Sequence, residues 1–267
     1  MVESGTRLAG SDEGPGPTLE GKVVLVTGGS RGIGRAICLR LARERPEHIL
    51  VGYCMNHDAA RATVRDLEQL GVPASFFAAD IGRLESLGEM FDHVESRWGR
   101  LDVFVSNAAR AAFREVTDLS ARSWERTLDI NARAFLVGSQ RAARLMGERG
   151  GQIIAISSLG AHLCAPGYVA LGAAKAALEA VARYLAVELA PRGINVNVVC
   201  GGLVETETLS LHPSYQELVR KVEARTPAGR LGRPEDLAGI VAFLCSSDAA
   251  WIRGQTLVAD GGFSLVS

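Results

Sequence analysis

The sequence predicts an α/β fold with one doubly wound parallel sheet of about seven strands flanked by helices. Short apolar runs alternate with amphipathic stretches along most of the 267 residues, and this alternation is typical of strand–helix–strand units. The apolar runs are mostly rich in Val and Ile and are bounded by glycine or polar residues. Such runs are expected for strands that helices cover on both faces of a parallel sheet.

The predicted elements follow one another in chain order. Strands are expected at 23–28, 48–53, 74–80, 101–108, 151–158, 194–202 and 255–262. Helices are expected between them at 32–45, 57–70, 84–98, 119–147, 168–190 and 234–246. Because these elements use the chain from about residue 20 onward, we expect one domain over 20–267.

Two segments lie outside this alternation. Residues 1–19 contain glycine, proline, serine and acidic residues without an apolar run, and we expect them to form a flexible tail. Residues 203–226 form a polar stretch after the sixth predicted strand. Their length predicts a mobile lid rather than a simple connection.

Composition excludes several classes of function. The chain has 29 Lys and Arg against 30 Asp and Glu, and it lacks a basic run that would bind nucleic-acid phosphates or an anionic membrane. None of its apolar stretches reaches the ~18 residues that span a bilayer, and the N-terminus lacks the apolar core of a signal peptide. The five cysteines and five histidines show no metal-ligand spacing. We therefore expect a cytoplasmic protein without a metal, a nucleic acid or a membrane as partner.

A glycine-rich turn follows the first predicted strand, with the sequence TGGSRGIG over 27–34. Between a strand and a helix, such a turn lets the backbone approach a pyrophosphate, which the N–H groups and dipole of the helix favour. The turn therefore predicts dinucleotide binding. The cofactor-binding residues expected in it are Gly28, Ser30, Arg31, Gly32, Ile33 and Gly34.

The residues around the second strand indicate which dinucleotide is bound. Chains that bind NAD usually place an acidic residue at the end of this strand, where it contacts the ribose hydroxyls. Here the segment 51–56 contains no acidic residue, and the first one is Asp58. Arg31 lies inside the glycine turn, where a guanidinium can pair with a 2′-phosphate. Both observations favour NADPH.

Further motifs occur in a fixed order, and together they resemble the short-chain dehydrogenase/reductase family over about residues 20–267. They are Asp80 after the third strand, SNAA at 106–109, Asn131 in DINARAF, Ser157-Ser158 after the fifth strand, and Lys175 on the next helix. The resemblance implies a single Rossmann-like domain, a nicotinamide cofactor and often a homotetramer.

The resemblance also implies roles by position. Asp80 would lie near the adenine, Asn107 near the adenosine ribose, and Thr206 near the nicotinamide carboxamide. Asn131 would support a water chain in the active site, and Lys175 would bind the nicotinamide ribose. The other cofactor-binding positions implied are Ile81, Ala108 and Gly201.

The chain departs from the family pattern at the usual proton donor. The family places a tyrosine four residues before the lysine, and this position holds Leu171. Tyr168 lies seven residues before Lys175 instead. At ~100° per residue, seven residues make about two turns, so both side chains share a helix face roughly 10 Å apart along the axis. We predict Tyr168, Lys175, Ser158 and Asn131 as the catalytic residues.

The displaced tyrosine suits the reduction of a carbon–carbon double bond. In conjugate reduction the hydride goes to the β-carbon, while the charge develops on the thioester oxygen, which a displaced hydroxyl can stabilise. The spacing from Tyr168 to Lys175 resembles that of the enoyl-[acyl-carrier-protein] reductases of the same family, most closely their NADPH-dependent third type. The resemblance implies reduction of a trans-2-enoyl thioester, from fatty-acid or polyketide-type synthesis.

Several alternatives stay open at this point. The chain could be a ketoreductase with an atypical proton donor, acting on a polyketide or another ketone, or a non-catalytic nucleotide-binding protein. Ser158 could hydrogen-bond substrate or only cap its strand, and His162 could touch substrate, although we interpret it as a solvated loop residue. An acyl carrier protein, if it delivers the substrate, would need basic residues near the mouth of the site. Arginines available for this are Arg110, Arg114, Arg220 and Arg225.

Overall fold

Seven parallel strands form one sheet in a computed structural model that describes residues 18–110, 113–206, 209 and 215–266. The strand order is β3-β2-β1-β4-β5-β6-β7. The strands are β1 (Val23–Thr27), β2 (His48–Tyr53), β3 (Ala74–Ala78), β4 (Val103–Ser106), β5 (Gly151–Ser158), β6 (Ile194–Gly201) and β7 (Thr256–Ala259). The strand order reverses between β1 and β4, which is where ligands bind in open sheets of this kind. The predicted doubly wound α/β fold is confirmed.

Helices cover both faces of the sheet. They are α1 (Gly32–Ala42), α2 (His57–Gln69), α3 (Leu84–Trp98), α4 (Ala121–Leu128), α5 (Ala134–Met146), α6 (Val169–Glu188), α7 (Tyr215–Arg225) and α8 (Pro234–Leu244). None of the helices in the described part of the chain has the length and apolar character that crossing a membrane would require.

Alternate residues of each central strand enter two separate hydrophobic cores. Val24 and Val26 of β1 pack in the core that contains α1 and α8, whereas Val23 and Leu25 pack in the core that contains α3, α5 and α6. All four side chains are fully buried, because successive residues of a strand point to opposite faces. Full burial of each such side chain contributes about 1.5–3 kcal/mol, which explains why these strands are apolar at consecutive positions.

The helix predicted over 119–147 is interrupted. It consists of α4, a π-helical turn at Asp129–Arg133, and α5. A π-helical turn adds one residue to a helix without ending it. The spacing of apolar residues in the sequence therefore does not show where the turn occurs. The turn contains Asn131, so the interruption lies at a predicted catalytic position.

Other predicted boundaries also shift. β4 ends at Ser106, two residues early, because the backbone N–H of Asn107 donates to Oγ1 of Thr27 instead of continuing the ladder. β7 ends at Ala259, where the carboxylate of Asp260 caps the following turn.

The tail and the lid are described only in part. The segment 203–226, which we expected to lie outside the alternation of strands and helices, contains helix α7, so that expectation is wrong for its second half. Residues 207–208 and 210–214 of the predicted lid, and residues 1–17 of the predicted tail, lie outside the described residues. The mobility of the lid stays a prediction.

Candidate active site

The glycine turn after β1 is held by close backbone packing. Gly28 has a φ of +65°, which glycine adopts without strain. A Cβ atom on Gly34 would overlap the carbonyl oxygen of Gly28, so only glycine lets α1 start this close to the turn. The arrangement leaves the backbone N–H groups at the start of α1 next to the end of β1, as a pyrophosphate site requires.

The side chain of Asn107 is hydrogen-bonded to the backbone of this turn. Its Nδ2 donates to the carbonyl oxygens of Thr27 and Gly28, at 3.0 and 3.1 Å. Oγ1 of Thr27 accepts the backbone N–H groups of Asn107 and Ala108, at 3.0 and 3.2 Å. The ends of β1 and β4 are thus tied together at the point where the strand order reverses.

The other predicted cofactor-binding residues of the turn differ in their burial and contacts. Ser30 is buried, and its carbonyl oxygen accepts the hydroxyl of Thr63 on α2 at 3.1 Å. Ile33 packs against the core beneath α1. Arg31 is exposed at the N-cap of α1. A Cβ atom on Gly32 would lie 3.6 Å from Cγ2 of Thr206, so the segment after β6 comes up against the turn. That segment begins after Gly201, the last residue of β6.

Asp80 lies after β3 and forms an ion pair with Arg126 of α4. Its Oδ1 also accepts the backbone N–H of Gly82 at 3.1 Å, and the neighbouring Ile81 is buried. The sequence did not predict Arg126 as a partner, because the two residues lie 46 positions apart. After β2, the side chain of Asn56 accepts the backbone N–H of Ala59 and caps α2. No acidic residue lies between Tyr53, where β2 ends, and this cap.

Tyr168 and Ser158 meet at the carboxyl end of β5. The Tyr168 hydroxyl lies 3.1 Å from Oγ of Ser158, and Tyr168 occupies the N-cap position of α6. Burial raises the pKa of Tyr168, and its hydrogen bond with Ser158 opposes that change. The phenol therefore keeps its proton at neutral pH and can donate a hydrogen bond to a ligand.

The ring of Tyr168 packs against a glycine and a second aromatic ring. A Cβ atom on Gly160 would overlap the Tyr168 ring, and one on Gly172 would lie 2.6 Å from the carbonyl oxygen of Gly160. The ring centroid of Phe113 lies 5.7 Å from that of Tyr168. The backbone N–H of Arg114 donates to the carbonyl of Gly167. The loop after β4 thus contacts Tyr168 and the residue before it.

Lys175 and Leu171 lie on α6, after Tyr168 in the chain. Nζ of Lys175 donates to the carbonyl oxygen of Ile156 at 2.7 Å. Burial lowers the pKa of Lys175 to about 8, while Cys200 and Glu179 nearby act in the opposite direction. Leu171 is buried at 6% exposure. The position of the family's usual tyrosine is therefore apolar.

Asn131 contributes an unsatisfied acceptor to the site. Its Nδ2 donates to the carbonyl oxygens of Arg110 and Thr127, at 3.0 and 2.9 Å. Its Oδ1 is buried and makes no hydrogen bond with any of the residues that the structure describes. Since buried polar atoms are normally satisfied, this oxygen is suited to a water molecule or a ligand group.

His162 and Glu179 form a pair that the sequence analysis missed. Nε2 of His162 lies 2.8 Å from Oε2 of Glu179, with 50% of the histidine side chain and 2% of the glutamate side chain exposed. His162 is an exposed loop residue, as interpreted from the sequence, but its contact with Glu179 was not predicted. The available signal was Glu179 itself, an acidic residue one turn after Lys175 on the apolar side of α6.

Most of the chain matches one known protein family. The family model described as "Enoyl-(Acyl carrier protein) reductase" matches residues 28–264. The chain belongs to the short-chain dehydrogenase/reductase family. It is thus an oxidoreductase of a nucleotide-binding family, in agreement with the glycine turn and with the motifs after β4 and β5.

Relatives within the short-chain dehydrogenase/reductase family differ in what their names say they reduce. The 1-cyclohexenylcarbonyl-CoA reductase of Streptomyces collinus is 44% identical over 248 residues, which are 92% of this chain and 88% of that protein. Tetrahydroxynaphthalene reductase of Pyricularia oryzae is 32% identical over 268 residues, covering 93% of each chain.

Solved structures of the family share the fold closely. A putative NAD(P)-dependent gluconate 5-dehydrogenase from Beutenbergia cavernae, solved with bound NADP, matches with a TM-score of 0.88 at 32% identity. The match covers 94% of this chain and all of that one. Among solved proteins, the fold described above therefore occurs with a nicotinamide dinucleotide bound.

Proposed function

We propose that this reductase uses NADPH to reduce the carbon–carbon double bond of a trans-2-enoyl thioester, with Tyr168 stabilising the enolate oxygen. The observation that carries the proposal is the 3.1 Å contact between the Tyr168 hydroxyl and Ser158, while buried Leu171 fills the usual tyrosine position. A relative whose name specifies a CoA thioester with a conjugated double bond adds support.

The described residues fit NADPH. The glycine turn can accept a pyrophosphate, and Arg31 at the N-cap of α1 can pair with a 2′-phosphate. The chain has no acidic residue between Tyr53, where β2 ends, and Asn56, the N-cap of α2, so these residues bring no carboxylate to a 2′-phosphate. Lys175 and Asn131 would bind the nicotinamide ribose and an ordered water. When bound, the cofactor supplies the hydride that the β-carbon accepts.

Tyr168 and Ser158 would act on the thioester oxygen. Negative charge grows on this oxygen as the β-carbon is reduced, and a preorganised donor lowers the energy of that transition state. Because burial keeps the pKa of Tyr168 above its usual range, the hydroxyl is a donor throughout the neutral range. The apolar side chain of Leu171 offers no hydroxyl to a ketone bound at the usual site. This difference favours double-bond reduction over ketone reduction.

Apolar residues near Tyr168 would line the acyl pocket. Leu171 is buried, Leu159 and Leu203 are partly buried, and Phe113 is half-exposed beside the tyrosine ring. In this proposal the lid over 203–226 closes on the acyl chain and excludes water. The carrier can be coenzyme A or an acyl carrier protein, and Arg110, Arg114 and Arg220 are exposed and available to bind its phosphate or acidic groups.

The proposal is tested by following NADPH oxidation with crotonyl and 1-cyclohexenylcarbonyl thioesters beside the matching 3-ketoacyl thioesters. We expect turnover of the enoyl series only. Tyr168→Phe should lower kcat by at least about 100-fold, in the range found for general acids, with nearly unchanged NADPH affinity. Tyr184→Phe is the matched control, because Tyr184 lies on α6 and is 73% exposed.

Ketone reduction is the second candidate function, because a tetrahydroxynaphthalene reductase is among the relatives. In that case the Tyr168–Ser158 pair would itself donate to the ketone oxygen. Turnover of the 3-ketoacyl series alone would establish this candidate and refute the enoyl reductase. Binding of NADPH without turnover of either series would leave the non-catalytic alternative.

We also propose that the protein is a homotetramer in the cytoplasm. Large apolar side chains project from the described surface at Val187 and Trp251, which are 75% and 97% exposed. Contact with further copies of the chain would cover them. Light scattering that gives the mass of a monomer at micromolar concentration would refute the tetramer.

A further inference from the structure

One buried carboxylate near the active site has no part in the mechanism above. Glu179 lies one helical turn after Lys175 on α6, and only 2% of its side chain is exposed. Glutamate is almost never fully buried without a partner, because its charge loses the solvation of water. The partners of Glu179 therefore indicate what the carboxylate does.

Glu179 connects three elements at the level of Lys175. Oγ of Ser157, on β5, donates to Oε1 of Glu179 at 2.5 Å. Nε2 of His162, in the loop after β5, lies 2.8 Å from Oε2. Sγ of Cys200, on β6, lies within 4.8 Å of both the His162 nitrogen and a Glu179 oxygen. The carboxylate thereby links α6 to the loop that separates Ser158 from Tyr168.

Lys175 and Glu179 are neighbours on one face of α6, because they lie four residues apart, and both are buried. Its ammonium group is buried, which lowers the pKa of Lys175 to about 8 against the opposing influence of Cys200 and Glu179. Burial raises the pKa of the Cys200 thiol to about 12, so that thiol is neutral at neutral pH. Of these two neighbours, Glu179 is the one that supplies negative charge to Lys175.

We propose that Glu179 is a positioning residue for the reduction: it keeps the ammonium of Lys175 charged and, together with His162, fastens the loop after β5 to α6. The inference rests on the proposed function in giving Lys175 the contact with the nicotinamide ribose. An ammonium group donates three hydrogen bonds, and a neutral amine is a weaker donor to ribose hydroxyls. Loss of the Glu179 charge should therefore weaken cofactor binding.

Glu179→Gln tests the charge while keeping the size of the side chain. NADPH affinity is measured by fluorescence titration on both sides of pH 8. The wild-type affinity should fall as the pH rises through about 8, because Lys175 loses its proton there. Removal of one neighbouring charge shifts a pKa by about one unit, so the fall should start about one unit lower. Binding should then be about fivefold weaker at pH 8 and about tenfold weaker at pH 9 and above.

Glu188→Gln is the matched control, because Glu188 is an exposed glutamate on the same helix. It should have the wild-type pH profile. A purely structural role for Glu179 would weaken binding equally at every pH, and that outcome, or identical profiles for both variants, would overturn the proposal. The titration uses no thioester. A protein that shows these shifts without reducing enoyl thioesters would refute the proposed function and leave this inference standing.

The part played by His162 is tested by a double-mutant cycle in urea unfolding. His162→Gln, Glu179→Gln and the double variant are compared at fixed pH. If the two side chains act as a pair, the double variant should lose no more of the urea midpoint than the more damaging single change. Fully additive losses would overturn the fastening by His162. Stoichiometric Zn²⁺ binding that disappears in both single variants would overturn the proposal as well, since the cluster would then be a metal site.

Discussion

At the proposed cofactor end of the site, the turn at 27–34 with Asn107 and Ala108, the backbone is what the contacts hold. Gly28 and Gly34 are in direct contact, and the side chains of Thr27, Asn107 and Thr63 bond to backbone groups. The substrate end, residues 156–175, is held mainly by side chains. Gly34 packs directly on the carbonyl of Gly28, whereas Tyr168 is positioned by Ser158, Gly160 and Phe113.

The difference explains why one end matches the family pattern and the other departs from it. A turn whose backbone atoms are in contact accepts few changes, because no side chain can rotate away. A side chain at the start of a helix can be moved by one turn and still reach the same pocket. We therefore expect changes at the cofactor end to abolish binding and changes at the substrate end to alter the reaction.

Gly34→Ala should have the largest effect. The added methyl group overlaps the carbonyl of Gly28, so the turn must open, and we expect NADPH affinity to fall by more than about 100-fold, as when a bound group is displaced from an oriented site. Fluorescence titration measures the affinity, and circular dichroism checks the fold. Gly239→Ala is the control, because a Cβ there meets no atom of the described residues within 4 Å. Wild-type affinity in Gly34→Ala would show that the turn is not the cofactor site.

Arg31→Ala should lower NADPH affinity by about 10- to 100-fold, equivalent to a lost charge-assisted hydrogen bond of about 1.5–3 kcal/mol. NADH affinity should change little, because NADH has no 2′-phosphate. Arg43→Ala is the comparison variant, since Arg43 is exposed at the other end of α1. Equal losses for both cofactors would exclude a contact between Arg31 and the 2′-phosphate.

Gly160→Ala should affect the reaction and spare the cofactor. The new methyl group displaces the Tyr168 ring, and a misplacement of about 1 Å can cost up to 100-fold in rate; we expect kcat to fall about tenfold with unchanged NADPH affinity. Adding Tyr168→Phe to this variant should lower kcat less than it does in the wild type. Independent, multiplicative losses would mean that Gly160 does not position Tyr168.

Leu171→Tyr should have the smallest effect and the most informative one. It restores a hydroxyl at the family's usual position, and we expect weak new turnover of 3-ketoacyl thioesters. Because Leu171 is buried, the larger side chain should cost about 1–3 kcal/mol of unfolding free energy. Turnover is measured by NADPH oxidation and stability by urea unfolding. A folded, NADPH-binding variant without ketone reduction would show that more than the donor differs.

The features that could be predicted from the sequence are those that depend on residues close together in the chain. Each strand was found from its apolar run, and the glycine turn from its position between β1 and α1. The contacts of Asp80 with Arg126, Tyr168 with Phe113, and Glu179 with His162 were not predicted. They join residues that are distant in the chain, and only the packing of loops at the end of the sheet brings them together.

The π-helical turn at Asp129–Arg133 contains one residue more than a regular α-helical turn. This additional residue sets how α4 and α5 are rotated relative to each other. One residue more or fewer in an α-helix rotates everything beyond it by ~100°. Without the turn, α4 would be rotated about its axis relative to α5. Arg126 would then face away from Asp80, and Asn131 would lose its bond to the carbonyl of Arg110. A single-codon deletion here would therefore separate Arg126 and Asp80 from Asn131 while leaving every side chain of the sheet unchanged.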